Sequence, residues 1–140
     1  MDEFEPLRAL LRACGYRQRL GDRREQWSHP VTRRAILIIT MRHEGRIRLC
    51  AERVGEYAAG LPPALRERIK RGMGCIGDCV PWGGGKPCPG GWRFELDGER
   101  YEKCRYNEFA FKPGKADMDE LELFLRRELI ARGELPAEAD

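Results

Sequence analysis

Between Gly72 and Gly91 the chain carries eight of its 16 glycines, three prolines (Pro81, Pro87, Pro89) and three cysteines (Cys75, Cys79, Cys88). Such a stretch cannot form a regular helix, and its backbone entropy keeps it floppy unless something ties it down. A fourth cysteine, Cys104, completes the spacing Cys75-x3-Cys79-x8-Cys88-x15-Cys104. Trp92, Phe94 and Leu96 alternate with Arg93 and Glu95, and Asp97-Gly98 is the dipeptide of a two-residue type I′ turn. In that hairpin register Phe94 faces Tyr101 and Gly91 faces Cys104, which returns Cys104 to within three residues of Cys88.

Four soft thiolates around a tight loop are the ligand set of tetrahedral zinc. The expectation is one structural zinc held by Cys75, Cys79, Cys88 and Cys104, with loop and hairpin together forming a knuckle over about 72–112. A structural zinc contributes about 10–16 kcal/mol in small peptides, whereas one disulfide adds about 2–4 kcal/mol. Disulfides also need an oxidising compartment. An iron–sulfur cluster is the alternative four-cysteine cofactor, although the spacing matches none of its common runs. A two-cysteine, two-histidine finger needs histidines after residue 88, and both of the chain's histidines, His29 and His43, precede it. Four thiolates leave no open position for a catalytic water.

The rest of the chain reads as ordinary α+β structure. Phe4, Leu7, Leu11 and Cys14 share one helix face, with Asp2 and Glu5 as a capping box and Gly15 as the stop. Residues 16–30 carry no clear period and read as polar and irregular. Ala35-Ile36-Leu37-Ile38-Ile39 is a strand buried on both faces, and after a turn at His43-Glu44-Gly45-Arg46 the alternation of Ile47 and Leu49 with Arg46 and Arg48 makes its hairpin partner. A helix is expected from about Ala51 to Ala59, then another opened by Pro62-Pro63 with Leu65 and Ile69 on one face. Met118, Leu121, Leu125 and Leu129 define a closing helix, with Asp117 and Glu120 at its start and Gly133 at its end. The expected whole, over 1–140, is one small α+β domain with two β-hairpins, flanking helices and the four-cysteine metal knuckle.

With 140 residues, 41% of them hydrophobic and 35% charged, the chain can bury a core of its own. The longest apolar run is far short of the roughly 20 residues that span a bilayer, and the acidic start is not that of a signal peptide. A cytoplasmic protein without a membrane partner is the expectation. The formal charge of +3 is uneven: residues 1–74 hold 16 Lys/Arg against 9 Asp/Glu, and residues 75–140 hold 10 against 14.

Three function classes follow. The first is a zinc-stabilised binding or regulatory module without catalysis, acting on a protein partner. The second is a nucleic-acid-binding protein using Arg17, Arg19, Arg23, Arg24, Arg33 and Arg34, with Arg66, Arg68, Lys70 and Arg71 on one helix. The third is a thiol-based enzyme or redox protein built on Cys50 with His43 or on unmetallated cysteines. Tyr101, Tyr106, Phe109 and Phe111 read as core under the closing helix, although aromatic residues on a strand can also stack bases. Gly83-Gly84-Gly85-Lys86 lacks the full spacing of a phosphate loop.

Overall fold

A computed structural model describes residues 3–40, 46–70, 80–81, 92–103 and 108–137. Helix α1 (Glu5–Ala13) buries Leu7, Leu10 and Leu11 with the preceding Phe4, the stripe expected of its spacing. Its N-cap is Phe4, with no side-chain cap, and Pro6 in the first turn suits that position; Asp2 of the expected capping box lies outside the described residues. Gly15, at φ +83°, ends it as expected.

The segment 16–30 is not irregular. It forms strands β1 (Arg17–Gly21) and β2 (Arg24–Ser28), which precede β3 (Ala35–Thr40) and β4 (Arg46–Cys50). With β8 (Glu108–Phe111) they make a five-stranded antiparallel sheet in the order β1-β2-β3-β4-β8. In β2 only Glu25 and Trp27 point inward, while Arg24, Gln26 and Ser28 point outward. A lone tryptophan beside an inward acid gives no apolar alternation to read.

Trp27, Leu37, Ile39, Ile47 and Leu49 form the inner face of this sheet. They join one continuous core with Leu7 and Leu11 of α1 and with Leu121, Phe124, Leu125 and Leu129 of α4 (Met118–Ala131). Ile36 and Ile38, on the other side of β3, are 1% and 5% exposed, so this strand is buried on both faces as its unbroken apolar run demands. Phe109 and Phe111 of β8 pair with Leu49 and Ile47 of β4.

Between the sheets the expected helix over 51–59 is only the single turn α2 (Val54–Tyr57), followed by a 3₁₀ turn, Ala58–Gly60. The amides of Glu52 and Arg53 donate to the carboxylate of Glu128 at 3.2 and 3.1 Å, so the chain is held by α4 before it can wind. Helix α3 (Pro63–Lys70) starts on its proline and buries Leu65.

A second sheet, β5-β7-β6, comprises β5 (Val80–Pro81), β6 (Trp92–Leu96) and β7 (Glu99–Lys103). Its hairpin has the expected register, Phe94 opposite Tyr101, and Asp97 (φ 50°) and Gly98 (φ 80°) both take the left-handed conformation of a type I′ turn. Leu96 enters the common core, and Asp97 meets Arg66 at 3.6 Å. Asp117 does not cap α4 through its side chain. Its carboxylate accepts from the Gly114 amide at 2.7 Å and closes a 3₁₀ turn before the helix. Gly133, at φ +76°, ends α4. Among the described residues no helix is long and apolar enough to cross a membrane.

The inward acid of β2 is satisfied by α1. Arg8 donates to both oxygens of Glu25, at 2.7 and 3.2 Å, and the Trp27 indole donates at 2.6 Å. Burial pushes the Glu25 carboxyl upward, but Arg8, Trp27 and Gln18 outweigh it and hold the group below its ordinary value of 4.5. A depressed carboxyl pKa stabilises the folded state above the unfolded pKa, and that contribution disappears as pH falls through the folded pKa. Urea unfolding of wild type and Glu25→Gln at several pH values is therefore expected to give a difference that is full near pH 7 and shrinks below about 4.5. A difference independent of pH would remove the ionised pair.

Candidate functional site

The expected ligands Cys75, Cys79, Cys88 and Cys104 lie outside the described residues, but the strands that adjoin them do not. Strand β5 starts on the residue after Cys79, β6 starts four residues after Cys88, and β7 stops on the residue before Cys104. Val80 pairs with Glu102 and Trp92 with Lys103, so the three strand ends stand side by side at one end of the small sheet. At about 4.8 Å between neighbouring strands, they lie within roughly 10 Å of one another. The pairing of β5 on the far side of β7 is not legible in a two-residue strand.

The other two cysteines are free thiols. Cys14 is half-buried against the core, and burial raises its thiol above the usual range despite the opposing Arg126. Cys50 ends β4 at 8% exposure, and its carbonyl accepts from Arg132 at 2.7 Å. His43 lies outside the described residues.

The larger sheet gathers the arginines. Cross-strand pairs share a face, so Arg19, Gln26, Ile38 and Arg48 make one row across β1 to β4. Gly21, Arg24, Thr40 and Arg46 make the next, and Arg17 stands opposite Ser28. Inward burial of Glu25, Trp27, Ile47 and Leu49 puts these rows on the opposite face, which is covered at Ile36 and Ile38 of β3 and exposed at Arg17, Arg19, Arg24 and Arg46. Arg17, Arg19, Arg24 and Arg46 are exposed and form no ion pair among the described residues. Gly21 leaves room between Arg19 and Arg24, where a concavity of about 490 Å³ is lined by these two arginines, Gly21, Asp22 and Gln26. The acid among the residues lining that concavity is Asp22, in the β1–β2 turn.

The remaining basic residues are placed differently. Arg34 is tied to Glu52 at 3.1 Å, and Arg66 donates to the Ala59 carbonyl at 3.1 Å. The side chains of Arg68 and Lys70, with all of Arg71, lie outside the described residues, as does Tyr106. Arg46 and Arg48 belong to the arginine face, and their alternation with Ile47 and Leu49 was the signal that could have found them.

A second cluster went unread in the sequence. Glu128, fully buried in α4, accepts from Arg132 Nε at 2.6 Å, from Tyr57 at 2.9 Å and from the two amides above. Arg132 also donates to the carbonyls of Ala35 and Cys50 and to the Tyr16 hydroxyl, and Tyr16 in turn donates to Glu134 at 2.6 Å. Burial raises the Glu128 carboxyl, while Arg132 and Tyr57 pull it down; burial also raises the Tyr57 phenol. Every member has a partner, and the cluster clamps α4 to the ends of β3 and β4. Its position three and four residues from Leu125 and Phe124 places Glu128 on the apolar stripe, which is the clue the sequence held. Compared with family models, with curated proteins and with solved structures, the chain matches none.

Proposed function

We propose that this chain is a non-catalytic nucleic-acid-binding module, with a structural zinc on Cys75, Cys79, Cys88 and Cys104 ordering the segment beside its small sheet. The observation that carries the reading is the registered set Arg17, Arg19, Arg24, Arg46 and Arg48 on one sheet face, four of them exposed and without acidic partners among the described residues. Unneutralised guanidinium groups in rows are what phosphates displace counterions to reach. Zinc is supported by the donor chemistry of four thiolates and by the three strand ends that meet next to three of them.

The geometry favours a single strand. Strands β1 to β4, across which the arginines lie, span roughly 14 Å at about 4.8 Å spacing, wider than the about 12 Å major groove of a duplex. Among the described residues the outer face has no aromatic side chain, so bases would stack on guanidinium planes and sequence preference would be weak.

Fluorescence anisotropy with a labelled 20-nucleotide single strand, and with its duplex, across a salt series tests this. Four to five phosphate contacts give a slope of log K against log salt of about −3 for the single strand. Arg19→Ala and Arg46→Ala should each flatten that slope by about 0.7. Binding that is absent, or unchanged by salt, would sink the proposal, and tighter binding of the duplex would move the ligand class.

A further inference from the structure

Six described residues hold a left-handed backbone, and four of them obey the local rule: Gly15, Gly98 and Gly133 are glycines, and Asp97 precedes Gly98 in its type I′ turn. The other two are arginines, Arg23 at φ 59° and Arg33 at φ 61°. A long side chain there is strained, because Cβ crowds the following carbonyl. Glycine or asparagine relieves that strain. The two arginines occupy the turns at opposite ends of β2, the strand that carries Arg24, Gln26 and Ser28 on the outer face. Both are exposed, and neither has an ion pair among the described residues. The Arg33 amide is fully used, donating to the His29 carbonyl at 2.8 Å, so its turn needs the backbone but not the guanidinium.

We infer that Arg23 and Arg33 are phosphate contacts kept at the cost of turn stability, one at each end of the β2 outer row. This rests on the nucleic-acid reading and extends its footprint beyond the sheet. First and last residues of β2 stand about 14 Å apart, so a strand lying along that row reaches both turns. Local rules broken without structural compensation are where binding residues are expected.

The test pairs stability with affinity. Arg23→Asn and Arg33→Asn should each raise Tm by about 2–4 °C. Each should also weaken binding of the 20-nucleotide strand about fourfold at 0.15 M salt and flatten the salt slope by about 0.7. Arg23→Lys should keep both the affinity and the unrelieved Tm. Arg126→Gln, on α4 beside Glu122, serves as the charge control and should leave affinity unchanged. Higher Tm with wild-type affinity and slope overturns the inference while leaving the sheet-face reading intact. Lower Tm also overturns it, since the arginines would then be structural. A wild-type protein that binds no nucleic acid removes both.

Discussion

Glu128→Leu is expected to cost about 3–5 kcal/mol, the loss typical of stripping one partner from a buried ion pair. The substitution leaves the Arg132 guanidinium, whose side chain is 4% exposed, without the carboxylate that neutralises it. It also orphans the amides of Glu52 and Arg53 and the Tyr57 hydroxyl, each of which donates to that carboxylate. Such a loss is comparable with the about 5–15 kcal/mol that holds a whole domain together. Arg132→Met should cost less at Glu128, which keeps three donors, but it removes the donor that Arg132 gives to the carbonyls of Ala35 and Cys50. The double variant should be more stable than Glu128→Leu alone, because removing both charges abolishes the uncompensated one. Denaturant midpoints for the two single variants and the double variant close this cycle. If Glu128→Leu stays within 1 kcal/mol of wild type, the burial of this pair is wrong.

The second large effect concerns the proposed metal. Purified without chelator or oxidant, the protein should carry one zinc per chain, with four thiols shielded until it unfolds. Cys104→Ser should release the metal, since a tetrahedral structural site depends on each thiolate. The about 10–16 kcal/mol that such sites supply in peptides acts next to the small sheet, whereas the larger sheet has its own continuous core. Amide exchange in 92–103 should therefore accelerate, while β2 and β3 stay protected. Unchanged metal content and thermal stability after Cys104→Ser would show the ligand set to be wrong. Intrinsic absorption with iron in place of zinc would point to the cluster instead.

Much of the architecture was visible locally. The stripes of α1 and α4 repeat at 3.6 residues, the run Ala35–Ile39 is β-branched and apolar, and Asp97-Gly98 has only one comfortable turn to make. Each of those preferences acts within a few residues of chain, so it survives translation from composition to conformation. Strand β1 was hidden because all of its residues are exposed, and β2 because its outward positions are polar and its inward ones are an acid and a tryptophan. Glu25 can face the core only because Arg8, from another element, meets it there.

The candidate sites divide the same way. Cysteine spacing and the hairpin turn were legible, and so were the individual arginines. That Arg17, Arg19, Arg24, Arg46 and Arg48 share one face depends on four strands in register, including the shift at Trp27/Ser28. Likewise, the convergence of three strand ends depends on β5 joining β7 from the side opposite β6. Turn type and helix stripe are properties of neighbouring residues, and this chain states them in its own letters. Which charges are buried as pairs, and which are left bare on a common surface, follows from contacts between residues far apart in sequence, and only the folded sheet and its helices decide it.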